Sequence, residues 1–186
     1  MVPVTSLLLP ILLSSVIVFI ASSLIHMVLG YHRNDFSKLP SEDQVMEALR
    51  KAGAAPGDYV FPHAGSFAAM KDPAWIEKRK QGPAGVLTVM KSGLPSMAPS
   101  LAMWFLFSVV VGVFAAYITG RALAPGASYL EVFRFAGCTA FVAYSLALWQ
   151  TSIWYGRRWT TILKSNVDGL IYGLLTAGVF GWLWPR

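Results

Sequence analysis

The chain is poor in charge: Asp, Glu, Lys and Arg make up 13% of its 186 residues, whereas 55% are hydrophobic. Soluble domains carry about 25% charged residues. A deficit of this size, with a mean hydropathy of +0.55, is what lipid-facing helices produce, because they need apolar side chains all round. Cysteine is almost missing. Cys138 stands alone in an apolar run, which excludes an intrachain disulfide, a CxxC redox pair and a zinc–thiolate cluster. It reads as a small buried hydrophobe. Catalytic signatures are missing too: there is no Gly-rich phosphate loop, paired-carboxylate site or zinc-protease motif. His63-Ala64-Gly65-Ser66 sets a histidine near a serine, but without the strand–turn–helix frame of a nucleophile elbow. These absences argue against an enzyme.

What is present is a series of long apolar runs. The first extends from about Leu7 to Leu29, and at ~1.5 Å of rise per residue it crosses a bilayer core of ~30 Å. No Lys or Arg precedes it, so it lacks the charged start of a cleaved signal peptide and is expected to be a retained span. Pro10 falls in its first turns, where proline costs least. Further spans are expected over 101–119, 129–153 and 167–184, joined by a turn on Pro125-Gly126 and by a basic, aromatic connection over 154–166. The pattern predicts an all-α membrane protein. Its fold is a four-transmembrane-helix bundle, with helix 1 in residues 1–29, a small α+β cytoplasmic cap in 30–98, and helices 2–4 in 99–186.

Orientation follows from where the positive charges lie. Segment 30–98 holds nine of the fifteen Lys and Arg, and the last connection adds Arg157, Arg158 and Lys164, against Arg121, Arg134 and Arg186 on the other side. Such an excess marks the cytoplasmic side, so both termini are expected on the non-cytoplasmic side. The net charge of +6 then needs no nucleic-acid partner. Trp154, Arg157, Arg158 and Trp159 are expected at the membrane interface. So are Trp75, Lys78, Arg79 and Lys80, on a short helix suited to an anionic lipid surface.

Inside the cap, Ser41 and Gln44 predict a capping box for a helix that stops at Gly53. Asp72-Pro73 opens a second helix, ending near Gly82. Tyr59-Val60-Phe61 and the run from Val86 to Met90 are β-rich enough to pair. In the spans, Gly112, Ala116 and Gly120, and Gly169, Gly173, Ala177 and Gly181, recur every fourth residue. Small residues at that spacing let helices pack closely in lipid. Packing inside the monomer is expected, with a homo-oligomer or another membrane protein as the alternative partner.

Ionisable groups give little chemistry. His26, His32, His63 and Asp35 are weak candidates for a metal site, because no recognised ligand spacing links them, and no metal or cofactor is expected. His26 and His32 are six apart, which places them on different helical faces unless the helix ends between them. Glu131 is placed to pair with Arg134 at i, i+3, and Asp168 lies near the start of the fourth span. Nothing charged is expected at mid-bilayer, which weakens a proton-coupled transporter. The hydroxyls of Ser108, Thr139 and Ser145 leave a channel open.

His32-Arg33-Asn34-Asp35-Phe36, the run from Leu39 to Leu49, and Gly57-Asp58-Tyr59-Val60-Phe61-Pro62 resemble stretches of a family of uncharacterised bacterial multi-pass integral membrane proteins. The resemblance extends over most of the chain. It implies the bacterial inner membrane and carries over no functional residues. The leading expectation is a non-enzymatic accessory or scaffold subunit of a membrane complex. A small oligomeric transporter or channel is the alternative, and a metal- or cofactor-binding membrane enzyme the second.

Overall fold

A computed structural model describes all 186 residues. In chain order the elements are α1 (Leu8–Leu24), α2 (Glu42–Lys51), β1 (Gly57–Phe61), α3 (Pro73–Gln81), β2 (Gly85–Val89), α4 (Ala98–Ala122), α5 (Tyr129–Ser145), α6 (Trp149–Tyr155) and α7 (Trp159–Trp182). They form two units. One comprises Met1–Asp35, Ser96–Ile153 and Arg157–Arg186; the other comprises Phe36–Pro95 with Trp154–Gly156.

The first unit is helical. Three helical stretches of the chain are long and apolar enough to cross a membrane: Val4–Leu29, Ala98–Ala122 and Tyr129–Tyr155. The first is not uniform. A 3-10 turn over Val4–Leu7 leads into α1, and a single π-turn over Ile25–Leu29 follows it. The third kinks at Ser145, where a 3-10 turn over Leu146–Leu148 separates α5 from α6.

α7 departs from the expected boundaries. It starts at Trp159, so the connection before it is only Gly156 to Arg158, and Ser165, Asn166 and Asp168 lie inside the helix. The polar run resembles a loop in composition, yet its backbone is helical because these side chains have neighbours to face. Asp168 is 4% exposed.

Packing follows the small residues. α7 runs antiparallel along α5: Gly181 faces Tyr129, Gly173 lies against Gly137 and Phe141, and Gly169 meets Tyr144 and Ser145. Ala177 approaches Gly137, while Ala136 and Ala140 are fully buried. On α4, Gly112 lies against Ile11 and Gly120 against the Val2 carbonyl, with Ala116 buried between them. One core cluster joins Leu7, Ile11, Ala115, Ala116, Val132, Ala136 and Phe180. A second gathers Val18, Ile25, Val111, Ala140, Tyr144 and Tyr172, with Trp104 and Tyr31 packed on it. Leu8, Leu12, Val16, Ile20 and Leu24 project outward from α1. Cys138 is exposed, contrary to the buried position expected for it.

The second unit holds the hairpin and two short helices. β1 and β2 pair antiparallel, with Gly57 opposite Val89 and Phe61 opposite Gly85, and Asp58 accepts a 2.7 Å hydrogen bond from Thr88. α3 begins as expected: the Asp72 carboxylate accepts from the Ala74 N–H at 2.8 Å. Gly53, at φ 67°, takes the left-handed conformation that ends α2. The capping box at Ser41 does not form. Ser41 is itself left-handed, at φ 50°, and makes no side-chain cap. The box occurs instead at α5, where Ser128 and Glu131 bond reciprocally. Both Ser128 bonds to the carboxylate run to Glu131 Oε2, and no ion pair with Arg134 forms.

Candidate functional site

The site is built where the first helical stretch ends. The π-turn shifts the side-chain register, and Gly30, at φ 64°, reverses the chain. Glycine takes this conformation without steric cost. Residues six apart are thereby brought together, and the His26 and His32 rings stack 4.6 Å apart at 4°. Single π-turns are uncommon and cluster at functional sites.

His32 lies between two carboxylates. Its Nδ1 is 2.6 Å from Asp35 Oδ2 and its Nε2 is 2.8 Å from Asp168 Oδ2. Lys164 anchors the assembly from α7, donating at 2.7 Å both to Asp35 Oδ1 and to the Tyr31 carbonyl. Burial pushes the Asp35 carboxyl up, but the hydrogen bonds from Lys164 and His32 and their positive charges outweigh it and hold the group below its ordinary value. His26 is fixed differently. Its Nδ1 lies 3.0 Å from the Ser22 carbonyl, which can only accept, so Nδ1 carries the proton. In the neutral ring Nε2 therefore holds the lone pair.

Beyond these contacts polar demand is left over. Asp168 Oδ1 is buried without a protein partner, and so is the Tyr172 hydroxyl one turn further along α7. Tyr172 belongs to an aromatic group with Trp104 and Tyr144, whose ring centroids lie 5.9 and 5.4 Å from it. Trp104 Nε1 donates to Ser22 Oγ at 2.8 Å, so the residue that orients His26 is itself pinned to α4. One ligand atom each from His26, His32 and Asp168 lies within 4.8 Å of the others. Buried polar groups lacking partners call for a water or an ion, and two imidazoles with a carboxylate suit a first-row metal.

Of the four metal candidates read from the sequence, His26, His32 and Asp35 come together. His63 lies in the other unit, beside Ser66, Trp75 and Arg79. Ser66 Oγ accepts from the Ala69 N–H, capping a turn. Trp75 is half-buried, and Lys78, Arg79 and Lys80 are exposed, as are Trp154, Arg157, Arg158 and Trp159. The Ser108 and Thr139 hydroxyls bond to carbonyls of their own helices, Trp104 and Phe135.

Sequence reasoning missed Asp168 as a partner of His32 and Lys164 as a partner of Asp35. The available signal was their i, i+4 spacing, which sets both on one side of a helix. Asp168, expected near the start of the fourth span, lies inside α7, which begins at Trp159, and is buried. No protein-family model matches the chain, and neither does any curated protein or solved structure.

Proposed function

We propose that the protein is a four-span integral membrane protein that moves cations by way of the His26–His32–Asp168 centre. The observation that carries the reading is Asp168, a buried carboxylate inside α7, bonded to His32 through one oxygen and unpartnered at the other. An ionisable group buried in a membrane bundle is costly, and such groups mark ion and proton paths. A scaffold needs no such centre, so the geometry favours the transporter or channel alternative over an accessory role.

The fourth span of this reading is α7. Its 24 residues extend about 36 Å at ~1.5 Å per residue. Its close approach to α5 along the Gly169–Gly181 stripe supports a place inside the bundle, where Lys164 and Asp168 are shielded from lipid. The distribution of Lys and Arg supports cytoplasmic placement of residues 30–98 and external termini.

Reconstitution tests the function. Vesicles carrying the protein, with an imposed gradient of protons, Na⁺, K⁺ or divalent cations, are expected to dissipate at least one gradient faster than protein-free vesicles. Asp168→Asn is expected to abolish the difference. Dissipation equal to that of empty vesicles for every cation overturns the reading.

A further inference from the structure

We infer that His26 Nε2, His32 Nε2 and the Asp168 carboxylate bind one divalent first-row transition metal ion of the Zn²⁺ type. The inference rests on the cation-handling reading for its site and names the class of cation; it does not require that the ion move.

The hydrogen bonds on Nδ1 already match what a metal needs. A metal-ligating histidine almost always donates its other ring N–H to a carbonyl or carboxylate, which orients the ring and raises its basicity. Both histidines have that arrangement on Nδ1: His26 toward the Ser22 carbonyl and His32 toward Asp35. The orienting groups are themselves held, Asp35 by Lys164 and Ser22 by Trp104. Asp35 is therefore a positioning residue and Asp168 the ligand.

The proton balance is simple. The short His32 Nε2–Asp168 contact contains one shared proton, and a metal ion entering there takes both lone pairs and releases that proton to water. Asp168 Oδ1, buried and unpartnered, is a second point of attachment on the same carboxylate. Charge also favours the exchange. Lys164 already compensates Asp35, so the ion has the Asp168 charge to itself.

Distance sets the adjustment required. A tetrahedral ion with bonds of about 2.0 Å holds its ligand atoms roughly 3.3 Å apart. One ligand atom from each residue lies within 4.8 Å of the others, and the two rings stack 4.6 Å apart at 4°, so binding needs closure of up to about 1.5 Å and rotation of the His26 ring out of the stack. His26 can supply both, because it is exposed and sits on the π-turn rather than in the packed core. Three protein ligands leave the fourth position open.

The test uses tag-free, full-length protein in detergent, stripped with chelator and titrated with Zn²⁺, or with Co²⁺ for its absorption bands. The expected result is one ion per chain, with tetrahedral Co²⁺ bands that Zn²⁺ displaces. His26→Ala is the decisive variant, since an exposed side chain can be truncated without unfolding the bundle. It is expected to weaken binding at least 100-fold while the thermal midpoint without metal stays put. Asp35→Asn is expected to weaken binding 10- to 100-fold, and His63→Ala to leave it unchanged. Absence of stoichiometric binding, or binding that His26→Ala and Asp168→Asn leave intact, overturns the inference. Tight binding without flux in vesicles overturns only the transport reading; proton flux without metal binding overturns only the metal.

Discussion

At the scale of single residues, Lys164 holds the site together. It reaches two separate acceptors at 2.7 Å, the Asp35 carboxylate and the Tyr31 carbonyl, and so ties the chain just after the π-turn to α7. Removing one partner of a largely buried ion pair leaves the other charge without compensation. Lys164→Ala is therefore expected to destabilise the protein by about 2–3 kcal/mol, read as a lower thermal midpoint in detergent. Lys164→Arg should recover part of the loss. A midpoint that does not move with Lys164→Ala would show that Asp35 and Tyr31 hold their places unaided. Little of this network was legible from spacing beyond the i, i+4 placement of Lys164 and Asp168 on one side of α7. His26 and His32 meet only because a π-turn and a left-handed glycine intervene, and Asp168 lies 136 residues from His32. Asp35, three residues from His32, was within reach of local reasoning, and it was indeed among the candidates.

At the scale of elements, the small-residue stripes account for how closely the helices approach. A side chain at Gly173 would press on the Gly137 carbonyl and on the Phe141 backbone N and Cβ, all 3.2 Å from where a Cβ would lie. Two of those three atoms are backbone and cannot rotate away. Gly173→Leu is thus expected to wedge α5 from α7, costing about 1–3 kcal/mol or more, and an unchanged thermal midpoint would remove this face from the packing surface. Gly112→Ala should be milder, because the nearest atom it meets is the Ile11 Cγ2 methyl, at 3.2 Å. Gly120→Ala falls between: its Cβ would strike the Val2 carbonyl, next to the 2.8 Å bond from Val2 N–H to the Gly120 carbonyl. That variant should free the first few residues, visible as faster amide exchange at Val2. The stripes were readable because a four-residue period survives any choice of partner. The start of α7 was not, since its polar residues face neighbours that hydropathy cannot see. Ser41 misled for a related reason: its cap pattern is present, but a left-handed backbone turns the side chain away from the N–H groups it would cap.

At the scale of the whole molecule, the proposed threading ties the ion centre to one face of the membrane. His26, His32 and Asp35 follow the first apolar stretch directly, and Lys164 and Asp168 lie in the first half of α7. In the four-span reading both positions sit toward the side that the Lys and Arg count assigns to the cytoplasm. The aromatic group of Trp104, Tyr144 and Tyr172 lies in the core cluster next to it, with the cluster of Leu7, Ile11, Val132 and Phe180 at the far ends of the same helices. Compartment-sensitive reporters give a direct check. Fusions within 30–98 and at Gly156 are expected on the cytoplasmic side, and fusions at Gly126 and after Arg186 on the opposite one. If the Arg186 fusion reports the same side as Gly156, α7 does not cross, Asp168 lies at the membrane surface, and the cost of burying it no longer argues for ion movement.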